Sequence, residues 1–102
     1  MKNDNDTTKN RSYKHNYPIE DVWNTYCTLA RLIAPRLQAF KTLDKHGFCP
    51  DFRNMQEWNN AIQKMIDAFE LMKSNNILSD EEQAIVTEGL ELFCKHYRNL
   101  WD

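Results

Sequence analysis

Apolar residues recur at steps of three and four from about Ile19 to Leu43, where Val22, Tyr26, Leu29, Ala30, Ile33, Leu37 and Phe40 fall on one face. At about 100° per residue, that spacing predicts one long amphipathic helix. Pro35 lies nearly opposite the centre of the stripe, and so does Arg31, whose carbonyl loses its donor because proline has no N–H. Water satisfies a carbonyl on that side, so the pattern predicts a helix that bends at Pro35 around its core. Arg36 falls about 60° from the centre of the stripe, at its wet margin.

Residues 44–53 break the pattern. Gly47 suits a left-handed helix stop and Pro50 cannot continue a helix, while Phe48 and Phe52 predict a loop that packs down. Asn54 with Glu57 then reads as a capping box and opens a second helix to about Lys73, with Trp58, Ile62, Met65, Ile66, Phe69 and Met72 on its buried face. Ser79 with Glu82 forms a second box, and Asp80, Glu81 and Glu82 favour the dipole of a third helix that runs to the end of the chain. Its core face is Val86, Leu90, Phe93, Tyr97, Leu100 and Trp101. Ile85, Gly89, Leu92 and His96 widen the weakly polar arc to about 200°. That width has two readings: a surface for self-association or a partner, or a third helix that is the most buried of the three. Gly89, which costs about 1 kcal/mol against alanine in a helix interior, predicts a close backbone approach.

The expected fold is therefore all-α, a three-helix bundle with a kinked long first helix. Residues 1–17, polar and rich in Asn, Asp, Lys and Thr, read as a disordered, flexible N-terminal tail, and residues 18–102 as a single helical domain. At 102 residues the core is modest, and two glycines with three prolines argue against a turn-rich β fold. No window approaches the roughly 18 apolar residues of a membrane span. A net charge of −2 with both signs interspersed provides no basic stripe for a phosphate backbone, so nucleic acid is not an expected partner. The start of the chain lacks a basic segment followed by an apolar run, and three cysteines cannot all pair within one chain, which together predict a reducing cytoplasm.

Candidate chemistry is sparse. His46-x-x-Cys49 and Cys94-x-His96 supply metal-ligand types, but positions 94 and 96 lie about 200° apart on a helix and cannot close on one ion. No metal and no cofactor are expected, and Cys27, Cys49 and Cys94 read as reduced thiols. No nucleophile stands beside a base in sequence, and with Gly47 and Gly89 as the only glycines no phosphate loop exists, so an enzyme is not expected. A ligand site is better grounded. Arg36 with Tyr26, Trp58 and His46 would offer a planar cation and aromatic faces to an anionic, ring-bearing molecule. The alternative is that Arg36 runs its stem along the core edge and pairs with Glu57 or Glu70.

Trp23, Leu29-Ala30, Pro35-Arg36-Leu37, His46-Gly47, Glu57-Trp58, Met65-Ile66-x-Ala68-Phe69-Glu70, Leu92-Phe93 and Leu100-Trp101 together form a pattern that covers nearly everything after the tail. The pattern resembles a family of small bacteriophage proteins of helical type. Thr25-Tyr26-Cys27-Thr28 stands where members commonly carry an acidic residue or a His-Tyr pair. The resemblance implies production in the cytoplasm of an infected bacterium and transfers no defined activity. By analogy of class, it implies a non-enzymatic accessory protein that binds a host factor or a small anionic nucleotide-like signal and counteracts host defence. A homo-oligomer is expected, with Ile85, Gly89, Leu92 and His96 at the interface; the alternative is an oligomeric assembly module that takes no small ligand.

Overall fold

The computed structural model describes residues 17–74 and 76–102, so the expected polar tail, except for Tyr17, lies outside the described residues. Among the described residues the α-helices follow in order: α1 (Glu20–Trp23), α2 (Thr25–Thr42), α3 (Met55–Met72) and α4 (Asp80–His96), closed by a 3₁₀ turn over Tyr97–Asn99. Among the described residues there is no strand, and no helix is long and apolar enough to cross a membrane.

The long first helix is interrupted at Asn24. Asn24 sits at φ −127°, ψ 61°, outside the helical region, while α2 runs without interruption through Pro35. Thr25 Oγ1 donates to the Val22 carbonyl at 2.7 Å, one of the local side-chain bonds by which threonine and asparagine compete with a helix. At its other end α2 stops at Thr42, five residues before Gly47. Lys45 provides the stop: its ammonium donates to the carbonyls of Phe40 (3.1 Å), Lys41 (2.9 Å) and Leu43 (3.3 Å), a cation at the negative end of the helix dipole.

The starts of α3 and α4 follow from their caps. Ser79 Oγ accepts from Glu82 N–H at 3.2 Å and Glu82 Oε1 accepts from Ser79 N–H at 2.9 Å, a reciprocal box. At α3 the box is displaced by one residue. Asn54 Oδ1 accepts from Glu57 N–H at 2.8 Å, but Glu57 reaches back past Asn54 to the backbone N–H of Arg53 (2.9 Å) and to its guanidinium (2.7 Å). That arginine holds the Glu57 carboxyl below its usual range, its side-chain hydrogen bond being the main cause.

The central helix is α3, not α4. It packs on both α2 and α4, and it buries Trp58, Ala61, Ile62, Met65, Ile66, Ala68 and Phe69, where α4 buries only Val86, Gly89 and His96. Ala30, Ala34 and Leu37 meet it from α2, and the small pair lets the helices approach closely. Polar links tie the helices, among them Arg31 to the Lys73 carbonyl (3.0 Å), Lys41 to Gln63 (2.8 Å) and Lys64 to Glu88 (2.7 Å). Arg31 reaches the end of α3. Before it Cys27 and Ala30 are buried, whereas Val22, Tyr26 and Leu29, expected in the core, are exposed.

Gly89 is where α4 touches α3. A Cβ there would lie 2.5 Å from the Lys64 carbonyl oxygen and closer still to the Ala68 methyl, so the close approach implied by the sequence is present. The weakly polar arc of α4 is thus largely spent inside the chain. Gly89 and His96 are buried and Leu92 packs half-buried against the core, which leaves only Ile85 of the four expected interface residues exposed. Nor does α4 continue to the last residue. It ends at His96, and after the 3₁₀ turn the chain bends back so that Leu100 joins the core edge while Tyr97 and Trp101, expected inside, face solvent.

Candidate functional site

The loop between α2 and α3 and the segment after α4 meet at one end of the molecule, and chemistry-bearing side chains gather there. Lys45 anchors the loop. Burial depresses its pKa, partly offset by the carboxylates of Asp102 and Asp44, and its ammonium sits 5.2 Å from the Phe40 ring centroid. The next residue pairs with the end of the chain: His46 N–H donates to Asp102 Oδ1 at 2.8 Å and His46 Nδ1 meets Asp102 Oδ2 at 3.1 Å. These contacts, the backbone one first, hold the Asp102 carboxyl below its usual range.

Beside this clasp lies a pocket of about 410 Å³, within the size range of small-molecule sites. Buried Trp58 and loop residues Phe48 and Cys49 line it from within, Asn99 lies along it, and Trp101, 74% exposed, stands at its mouth. The wall is aromatic. Its polar groups are the His46–Asp102 pair, the Asn99 amide and the Cys49 thiol.

A second arrangement shares Cys49. The Phe52 N–H bonds the Cys49 carbonyl at 3.0 Å, closing a turn with Pro50 at its second position, where a fixed φ near −65° favours that shape. The turn carries Cys49 and Asp51 to the end of α4, where His96 waits. Cys49 Sγ is 3.6 Å from His96 Nδ1, Asp51 Oδ2 is 3.5 Å from the same atom, and all three donor atoms lie within 4.8 Å of one another. His96 is 2% and Cys49 4% exposed, while Asp51 faces solvent. Phe52 and Trp58 pack on the imidazole with centroids at 5.0 Å and 6.0 Å and fix the plane of the ring. A nucleophilic triad needs its thiol and its orienting carboxylate on opposite ring nitrogens. Here both reach Nδ1, so Asp51 does not orient His96 as a base for Cys49.

The four residues expected to line one ligand site do not converge. His46 and Trp58 share the aromatic pocket. Arg36 borders a separate apolar hollow of about 300 Å³, near Ile33, Phe40 and Phe93, and its guanidinium donates to the Leu32 carbonyl at 2.8 Å. Tyr26 is half-exposed near the start of α2 and lines neither hollow. Arg36 does not pair with either expected carboxylate, since Glu57 holds Arg53 (2.7 Å) and Glu70 holds Lys73 (2.9 Å).

Asn99, Trp101 and Asp102 at the pocket and Asp51 beside His96 belong to the candidate sites without having been expected from the sequence. Of these, only Asp51 had a local signal, because a proline between Cys49 and Asp51 predicts a turn that turns both side chains to one side. Cys94 is exposed while His96 is buried, so the two point away from each other across α4. Comparison of the chain with protein-family models, with curated proteins and with solved structures finds no match in any of the three.

Proposed function

We propose that this chain is a non-enzymatic binding protein that captures a ring-bearing, nucleotide-like small molecule in the aromatic pocket between the 43–54 loop and the C-terminal turn. The observation that carries the reading is the pocket itself: two tryptophans, one buried and one at the mouth, beside a histidine held in place by Asp102. A planar base stacks on the open indole face of Trp101, with buried Trp58 behind it, and base–aromatic stacking gives about 1–3 kcal/mol per base. The Asp102 carboxylate and Asn99 accept from an exocyclic amine, and the same carboxylate directs a phosphate outward, to solvent. This places the ring, rather than the charge, inside. Arg36 and Tyr26 are outside this contact set. In keeping with the phage-like sequence pattern, the bound molecule is a host signal or cofactor, the compartment is the bacterial cytoplasm, and capture counteracts a host function. The same reading takes α2, α3 and α4 as a three-helix bundle whose first long helix bends at Pro35, supported by α3 packing on both neighbours and by the exposure of Pro35.

Native mass spectrometry of the chain with a panel of nucleosides, linear nucleotides and cyclic nucleotides tests it. The expected result is a discrete bound mass that Trp101→Ala loses and Arg36→Ala keeps. A mass retained by Trp101→Ala and lost by Arg36→Ala would move the site to the Arg36 hollow; no bound mass from the whole panel would refute small-molecule capture.

One observation favours a second reading, assembly without a ligand. Val22, Leu29 and Leu32, each about half exposed, line one shallow hollow along the start of the first two helices, and Trp23 is exposed on the same segment, apolar surface that a second copy of the chain would cover. Under this reading Leu29→Glu lowers the native mass by a whole number of chains, and an unchanged mass removes the face from any interface.

A further inference from the structure

We propose that Cys49, Asp51 and His96 form a binding site for a divalent transition metal of the zinc class, with one coordination position left open. The site rests on the cluster geometry and shares only Cys49 with the lining of the aromatic pocket.

The donor spacing is that of a coordination sphere. Zinc bonds of about 2.3 Å to sulfur and 2.0–2.2 Å to imidazole nitrogen and carboxylate oxygen, at tetrahedral angles, place sulfur and nitrogen roughly 3.5 Å apart and nitrogen and oxygen roughly 3.4 Å apart. The observed separations are 3.6 Å for Cys49 Sγ to His96 Nδ1 and 3.5 Å for His96 Nδ1 to Asp51 Oδ2. The remaining sulfur-to-oxygen pair lies within 4.8 Å, and Asp51, being exposed, closes it by a side-chain rotation.

Hydrogen bonding alone explains the cluster poorly. Nδ1 has one in-plane position. If it carries a proton it donates to either the sulfur or the carboxylate; if it does not, it accepts from the thiol while its lone pair faces the carboxylate. Two ligand atoms converging on one nitrogen from different directions are what a cation among the three accommodates. The ring has little freedom to escape, because Phe52 and Trp58 pack against it and it is 2% exposed.

The donor set also selects the ion. A thiolate, an imidazole and a carboxylate together suit zinc and its neighbours and do not suit magnesium or calcium, which take oxygen ligands. Thiolate and carboxylate balance the two positive charges. Three protein ligands leave a fourth position, on the solvent side of Asp51, for water or an outside ligand. Such an ion would fasten the loop between α2 and α3 to the last residue of α4, closing the molecule across 47 positions in sequence.

The test is a titration of the full chain, first stripped with a chelator, with cobalt(II) and then zinc(II), followed by absorbance, with circular dichroism to verify the fold. The expected result is one cobalt per chain, a thiolate-to-cobalt charge-transfer band, d–d absorption of tetrahedral intensity, and displacement by zinc. Cys49→Ala should abolish the charge-transfer band and Cys94→Ser should keep it. Asp51→Asn, at an exposed position that leaves the fold intact, should weaken binding by more than about 100-fold, the upper end of what losing an outer-shell partner costs. Zinc should raise the thermal midpoint of the wild type and not that of Asp51→Asn. Absence of a thiolate band, its survival in Cys49→Ala, or unchanged affinity in Asp51→Asn would each overturn the site.

Discussion

Replacing Gly89 with alanine should destabilise the protein, although helix propensity alone predicts the opposite. In an exposed helix interior the change would gain about 1 kcal/mol. At Gly89 the added methyl would lie 2.5 Å from the Lys64 carbonyl oxygen and nearer still to the Ala68 methyl, both fixed to the body of α3. Ordinary contact needs about 3.5 Å, so α4 must withdraw from α3 by about 1 Å at this point. Overpacking of this kind costs about 1–3 kcal/mol, and a gap of 0.5–1 Å forfeits roughly a quarter to a half of the dispersion energy of each contact it opens. Phe93, stacked edge-on to Phe69 at 4.8 Å, and half-buried Leu92 lie on the segment that would move. Setting about 3–4 kcal/mol of cost against about 1 kcal/mol of gain leaves a net loss of about 2–3 kcal/mol. For a domain of this size that lowers the thermal midpoint by roughly 10–20 °C, read by circular dichroism melts. Gly47→Ala is the internal control: a Cβ at Gly47 meets nothing within 4 Å, so stability should change by less than about 0.5 kcal/mol. A Gly89→Ala protein as stable as the wild type, or more so, would refute the packing argument.

Two other outcomes follow from the same contacts. The carboxyl of Asp102 is held below its ordinary value of 3.8, so the clasp to His46 contributes stability that is present above that pH and is lost as pH falls through the lowered value. Denaturant melts of wild type and Asp102→Asn should therefore differ at neutral pH and converge in strong acid; a gap that stays constant into strong acid would contradict the assignment. On α4, Leu92→Glu should unfold the chain because Leu92 packs on the core, whereas Ile85→Glu, at an exposed site, should leave the melt within about 0.5 kcal/mol. Equal effects on stability would place Leu92 outside the core.

Which parts of this molecule could be read from its sequence follows from how local each signal is. Ser79 and Glu82 are three residues apart and bond each other, so the start of α4 was plain, and the stripe from Trp58 to Phe69 marked the buried face of α3 for the same reason. The break at Asn24 was hidden because the apolar period continues across it; only the backbone angles of one residue depart. The width of the apolar arc on α4 is visible in the sequence as an excess, but periodicity does not say which neighbour absorbs it. Gly89 and His96 turned out to spend it inside the chain. Arg36, whose place at the edge of the stripe invited a functional role, bonds a carbonyl of its own helix. The end-of-molecule cluster was the least legible part. In sequence the cysteine nearest His96 is Cys94, on the wrong side of the helix, while its spatial neighbour Cys49 comes from the loop before α3 and the return of the chain to His46 depends on a turn after α4.

The most direct measurement of the central claim is a proton–nitrogen correlation spectrum of the full chain, recorded with and without the nucleotide that mass spectrometry selects. Three indole N–H signals report from three different places. Trp58 and Trp101 line the aromatic pocket, and Trp23, at the end of α1, does not. The account predicts shifts at Trp58 and Trp101 and at the Asn99 amide, with Trp23 unmoved. Shifts confined to Trp23 or to the backbone around Arg36, with Trp58 and Trp101 unchanged, would contradict it.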